Sequence, residues 1–203
     1  GGFSAGDEPD GSGKFIAAVF RNPYLSEAVM DLIKNRDGLV LGVCNGFQAL
    51  IKLGLLPYGE IKQLDENAPT LTFNRVGRHI SQLQSVRVSS KLSPWLAYAS
   101  VGEIFSLPLS HGEGRFVADD LTLADLIKNG QIASQYVDLE GKATYDGTFN
   151  ANGSLYAVES LSSPDGRILG KMGHSERWSE GIYKNIPGNK DQRLFEAGVD
   201  YFK

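Results

Sequence analysis

Apolar and polar positions along this chain follow two periods, and the changes between them divide it into elements. Lys14 to Arg21 is apolar enough for a short helix, which Asn22-Pro23 breaks. Leu25, Ala28, Val29, Leu32 and Ile33 then recur at helical spacing and predict a helix over Tyr24 to Asn35, opened by Pro23 and closed by Asp37-Gly38. The continuous apolar run Leu39 to Val43 has the character of a buried parallel strand. A helical pattern follows at once from Cys44 to Leu53 and stops at Gly54 and Pro57. This strand-turn-helix unit is the clearest piece of architecture in the sequence.

Farther along, Leu71 to Val76, Leu83 to Val88 and Ile104 to Leu109 read as strands, and Asp120 to Gly130 as a helix with Thr122 and Asp125 spaced as a capping box. Asp146-Gly147, Asn152-Gly153 and Asp165-Gly166 each signal a turn between strand-like segments. Ile168 to Met172 is the last strand and Gln192 to Tyr201 the last helix. Without a repeat, a low-complexity tract or a long linker, the pattern predicts one α/β domain with an inserted antiparallel portion.

Composition narrows the function. Of 203 residues, 20 are Lys or Arg and 24 Asp or Glu, a net charge of −4 that provides no basic stripe for a nucleic acid. No run approaches the roughly 18 to 20 apolar residues of a membrane span. One cysteine permits neither an internal disulfide nor a thiolate zinc cluster, and it suits a reducing cytoplasmic setting. The 24 glycines exceed average usage and predict many tight turns or close backbone approaches. The opening Gly1-Gly2-Phe3-Ser4-Ala5-Gly6-Asp7 has no charged n-region and no apolar h-region, so it is not a signal peptide. It reads like a loop entered midway, as in a fragment of a longer polypeptide.

Gly42-Val43-Cys44-Asn45-Gly46 has the form of a nucleophile elbow with cysteine in place of serine. Its glycines allow a strand to turn sharply into a helix, whose N-terminus lies under the sulfur and favours thiolate. The competing explanation is a buried structural cysteine at a strand end. A thiol nucleophile needs a base. His174 has Glu176 two residues on, and in an extended chain the two point the same way, so the carboxylate can orient the imidazole. His111 has Glu113 at the same spacing and is its rival. His174 follows a predicted strand, where open α/β sheets build their sites, and this gives it a modest edge. His79, with Arg75 and Arg78 nearby, has no assigned role.

The opening glycine-rich segment, Leu41 to Gln48, Ser110-His111-Gly112-Glu113-Gly114-Arg115-Phe116 and Gly170-Lys171-Met172-Gly173-His174-Ser175-Glu176-Arg177 together resemble class I (triad) glutamine amidotransferases. Within them, the resemblance is strongest to the glutaminase domain of phosphoribosylformylglycinamidine synthase, and it runs over nearly the whole chain. It implies a flavodoxin-like, mostly parallel sheet with helices on both faces and an added antiparallel portion. It also implies that Cys44 attacks the side-chain amide of glutamine, His174 moves the proton and Glu176 orients His174. The backbone N–H of Gly2 or Phe3, with that of Asn45, would form the oxyanion hole, where losing one donor costs roughly 2.7 to 4 kcal/mol. Gln48, His111, Gly112 and Glu113 would line the substrate pocket, with His111 positioning rather than catalysing.

The ammonia so released would serve the ATP-dependent conversion of formylglycinamide ribonucleotide to formylglycinamidine ribonucleotide in purine biosynthesis. The partners implied are synthetase domains or a synthetase subunit, reached through an internal channel. ATP and Mg²⁺ are expected on that part, with no cofactor and no metal in this domain. Phe47 stands where many relatives carry a second cysteine, and the strands that precede the glycine-rich loop in the family are missing here. The expectation is therefore a single domain over residues 1–203, cut from a longer chain, with the C-terminal domain of the large synthase favoured over a free-standing subunit. A papain-like protease is disfavoured because its local cysteine signature is absent. Gly11-Ser12-Gly13-Lys14 fails as a phosphate loop at Glu8 and Phe15. A non-enzymatic α/β domain with a merely structural elbow is the remaining rival.

Overall fold

A computed structural model of the protein describes residues 13–203. In chain order its helices and strands are α1 (Lys14–Phe20), α2 (Pro23–Lys34), β1 (Val40–Val43), α3 (Asn45–Leu53), α4 (Leu55–Tyr58), β2 (Thr70–Phe73), β3 (Ile80–Val88), β4 (Ile104–His111), β5 (Glu113–Val117), α5 (Asp120–Lys128), β6 (Ile132–Tyr136), β7 (Val158–Ser162), β8 (Ile168–Lys171) and α6 (Leu194–Asp200). Among the described residues one sheet has the order β1-β8-β7-β6-β3-β4, and β2 pairs with β5 in a second, two-stranded sheet. β1 and β8 are parallel, in register from Val40 against Ile168 to Val43 against Lys171. The pairings β7–β8, β6–β7, β3–β6 and β3–β4 are antiparallel. The α/β character and the antiparallel portion expected from the sequence are thus both present, and the elbow sits at the parallel pairing.

Local chemistry explains most boundaries. Asn22 caps α2 by accepting the Tyr24 N–H at 3.0 Å, with Pro23 in the first turn where its missing N–H leaves no bond unmade. Gly54 ends α3 at a φ of 84°, a left-handed conformation that glycine adopts without a Cβ clash. Pro108 lies in β4, an edge strand of the sheet whose other side needs no proline N–H.

Three expectations need correction. The cap of α5 is Asp119, which accepts the Thr122 N–H at 2.7 Å, so Thr122 is the capped residue and not the cap. The segment from Ser110 to Phe116 is not a loop, because β4 ends at His111 and β5 begins at Glu113. Of the three turn signals in the middle, only Asp165-Gly166 joins two strands. Asp146-Gly147 and Asn152-Gly153 lie in the irregular stretch between β6 and β7, whose polar groups are met by side chains such as Asn150, donating to Ser154 O at 2.9 Å.

The core forms where α3 and α4 close on β1 and β8. A Cβ at Gly170 would overlap the Phe47 ring and stand 2.5 Å from Leu56, and one at Gly42 would stand 2.5 Å from Leu50. Two bare positions on adjacent strands therefore let the helix lie directly on the backbone, with Phe47, Ile51, Leu53 and Leu56 filling the space. Gly170→Ala is expected to lower stability by roughly 1 to 3 kcal/mol through overpacking. Urea unfolding would read the loss, and Phe47→Leu in the same chain should recover part of it.

Candidate active site

Cys44 occupies the single position between β1 and α3. Its φ of 52° and ψ of −106° are strained for a residue with a side chain, as expected where a strand is forced into a helix within one residue. The turn is held at both ends, by Cys44 N–H donating to Lys171 O at 2.8 Å and by Gln48 N–H donating to Cys44 O at 3.1 Å. The thiol donates to Ser110 O at 3.6 Å and is only 4% exposed. Burial pushes it up to about 11, against the Asn45 backbone N–H on the sulfur and the charge of Arg177, while Glu176 adds to the rise. The amide at the helix N-terminus acts in the expected direction, toward thiolate, but it is outweighed, and the resting group is a thiol. Removing the sulfur from water outweighs one amide dipole.

His174 lies just beyond β8, and its own N–H donates to Pro108 O at 2.9 Å. The outer edge of β4 thus receives the residues that follow both strands, Cys44 at Ser110 and His174 at Pro108. The imidazole is 1% exposed, and its Nδ1 meets Glu176 Oε1 at 2.6 Å. Glu176 sits in the 3₁₀ turn Ser175–Arg177, so a turn rather than the extended chain assumed from the sequence makes this contact. Burial alone would raise the Glu176 carboxyl. The hydrogen bond from His174, a backbone N–H and the charges of His174 and Lys171 together hold it below its ordinary value. An ionised carboxylate fixes the proton on Nδ1 and leaves Nε2 as the acceptor. Nε2 is buried and has no hydrogen-bond partner among the described residues.

The predicted pocket residues are also brought together. Gln48 on α3 donates to Glu113 O on β5, tying the elbow helix to the second sheet, and its Oε1 is buried without a hydrogen bond among the described residues. His111 is buried with Nδ1 3.1 Å from Asn74 Oδ1. Burial, with the nearby His79 and His174, drives it down to about 3, so it is neutral at ordinary pH and suited to hydrogen bonding rather than to carrying a proton. Gly114 lies so close beneath its ring that a Cβ there would come within 2.5 Å of it. Gly112 accepts the Asn74 N–H at 3.0 Å, and Glu113 is buried beside it. Gly2 and Phe3, the expected oxyanion donors, lie outside the described residues.

Asn74 was missed from the sequence. Its amide donates to both His111 O, at 2.8 Å, and Arg78 O, at 3.0 Å, so one side chain fixes the pocket wall. A single asparagine after a strand carries no signal of such a role. Among the described residues, no three His, Cys, Asp or Glu side chains gather as a metal site, and no helix is long and apolar enough to cross a membrane.

Comparison with known proteins gives the family. The family described as CobB/CobQ-like glutamine amidotransferase domain matches residues 1–202. The phosphoribosylformylglycinamidine synthase subunit PurQ of Gloeobacter violaceus is 35% identical over 98% of this chain and 76% of its own length. The subunit of the same name from Methanosarcina acetivorans is 36% identical over 99% of this chain and 77% of its own. Among solved structures, a chain of PurLQS from Thermotoga maritima aligns with a TM-score of 0.70 and 26% identity, covering 100% of this chain and 77% of that one.

The depressed His111 sets a pH dependence of stability. In the unfolded chain an imidazole takes its proton near 6.5, but in the fold it does so only near 3, so between these values the unfolded state binds more protons. The contribution is complete above about pH 6.5 and is lost as pH falls, at up to about 1.4 kcal/mol per pH unit. Relative to the parent, His111→Gln should flatten the stability profile between pH 6 and pH 4, measured by urea unfolding at each pH.

Proposed function

The chain belongs to the CobB/CobQ-like glutamine amidotransferase domain family, with PurQ subunits among its relatives, and from that membership we infer that it is the glutaminase part of a phosphoribosylformylglycinamidine synthase. The observation that carries the chemical reading is the His174–Glu176 contact of 2.6 Å, which leaves a buried Nε2 with no partner among the described residues, at the carboxyl end of the strand beside the Cys44 elbow.

In the proposed reaction the Cys44 sulfur attacks the side-chain carbonyl carbon of glutamine as its proton passes to His174 Nε2. Glu176 stabilises the imidazolium without accepting the proton itself. Negative charge on the carbonyl oxygen meets the Asn45 N–H, which already points at the sulfur. Collapse breaks the C–N bond, the imidazolium protonates the leaving nitrogen, and ammonia departs from a γ-glutamyl thioester. Water then adds with His174 as base. Glutamate leaves, and the proton returns to the sulfur. Because burial holds the resting thiol in its neutral form, the proton must move during attack, which is why a neutral, oriented imidazole is required.

The ammonia would pass to a synthetase partner that binds ATP and Mg²⁺. The named relatives are subunits, and the matched structure is a PurLQS assembly, which supports such a partner for this chain and favours the subunit form among those weighed. A cytoplasmic setting fits the single thiol. A neutral, buried nucleophile also fits low glutaminase activity until the partner engages.

Four outcomes are expected. A diazo-oxo-norleucine should label Cys44 in the assembled enzyme and leave Cys44→Ser unlabelled. Absence of labelling, or labelling elsewhere, sinks the reading. Iodoacetamide, which needs preformed thiolate, should react slowly at neutral pH and faster by about tenfold per pH unit toward a pKa of about 11. In glutamine-dependent turnover, His174→Ala should lower kcat by at least about a hundredfold. His111→Ala should chiefly raise KM, and kinetics in the opposite sense would exchange their roles.

A further inference from the structure

The proposed chemistry leaves unused a fully buried ion pair. Lys171 Nζ and Glu159 Oε1 lie 3.6 Å apart, with side chains 1% and 0% exposed. Taking two charges out of water costs several kcal/mol each, and apolar replacements of such pairs are often neutral or stabilising. Stability alone therefore does not explain the pair.

Its remaining hydrogen bonds give it an address. Lys171 Nζ donates to Gly173 O at 2.9 Å and to Ser175 Oγ at 2.9 Å. Glu159 Oε1 accepts the Gly173 N–H at 2.6 Å, and its other oxygen is held by Ser134 Oγ. Ser175 Oγ donates onward to Gln192 Oε1 at 2.6 Å. Both polar groups of the residue before His174, and the side chain of the residue after it, are thus held by the two charges. A Cβ at Gly173 would stand 3.0 Å from Glu159 Oε1 and 3.0 Å from Leu107, so the backbone is seated directly on the carboxylate.

We propose that Lys171 and Glu159 are positioning residues that clamp Gly173 to Ser175 and so aim the His174 ring between Glu176 and Cys44. β8 ends at Lys171, and Met172 and Gly173 are all that separate it from the base. Backbone bonds hold Met172, whose N–H donates to Glu159 O at 3.2 Å, and His174, whose N–H donates to Pro108 O at 2.9 Å. Gly173 and the Ser175 side chain, on either side of the base, are held by the two charges. The kinetic consequence rests on the glutaminase reading, whereas the geometry of the imidazole does not.

The test compares Lys171→Met with the double variant Lys171→Met/Glu159→Gln in the assembled enzyme. The single variant strands a buried carboxylate and should lower Tm. The double variant, neutral and still able to accept the Gly173 N–H, should recover most of the Tm. Its kcat for glutamine hydrolysis should nevertheless stay down roughly tenfold to a hundredfold, with KM within about threefold, because the loop has lost its donor. Without substrate, the low-field Nδ1–H resonance of His174 in ¹⁵N-histidine protein should shift or broaden in the same variant. Ser175→Ala keeps the ion pair and cuts its link past His174 together with the bond to Gln192, so it should cost little Tm and lose about threefold to tenfold in kcat. That variant carries the test if the double variant fails to fold. Parental kcat and an unchanged resonance in the double variant, or in Ser175→Ala in its place, would overturn the clamp. A parent enzyme that hydrolyses no glutamine would instead overturn the functional reading, and the resonance would still decide the clamp.

Discussion

The hydrogen bond from the Cys44 amide to the Lys171 carbonyl, 2.8 Å long, closes the parallel ladder of β1 and β8 at the point where both strands end. Beyond it the two chains diverge, one into α3 and the other into the turn that carries His174 and Glu176. Because the strands are parallel, both sets of side chains emerge at the same edge of the sheet, and no long connection has to bring them together. The bare backbones of Gly42 and Gly170 extend this constraint to the helix, since α3 reaches the sheet only where no Cβ intervenes. The same short ladder thus sets the depth of the core and the separation of the proposed nucleophile from its base.

Burial has opposite uses on the two sides of this ladder. It holds Cys44 as a thiol and His111 as a neutral imidazole, both of which suit a site that waits for substrate and moves its proton only during attack. Around Glu176 burial is overcome by a hydrogen bond and positive charges, and the carboxylate stays ionised. Environment therefore sets these three groups apart, two of them neutral and one ionised at the same pH.

How much of this could be read in advance depended on whether the information was local. The elbow was legible because glycine spacing and an apolar strand are properties of a few adjacent residues, and β1 and α3 lie where the pattern placed them. His174 and Glu176 were also local, although the 3₁₀ turn that joins them was not expected. β5 was missed because Gly112 and Gly114 resemble a loop, whereas here they serve as a one-residue joint and as the floor beneath the His111 ring. Asn74 was missed because its bond to His111 joins the end of β2 to the other sheet, 37 residues along the chain, and no local pattern records such a bond.

Glu159 and Lys171 are a different case, since a signal was there. Each is a charged residue in an apolar strand, Val158 to Leu161 and Ile168 to Met172, at positions that the pattern marks as interior. A charge in such a place must find a partner or lose its proton, so two of opposite sign on neighbouring strands predict a buried pair. What the pattern does not give is the purpose. That comes from the hydrogen bonds left over once the charges have met, and these go to the residues on either side of His174. The cost of burial is then offset where it bears on the proposed chemistry: the candidate base stands on a segment too short to be held by regular secondary structure, and the two charges hold the residues on either side of it.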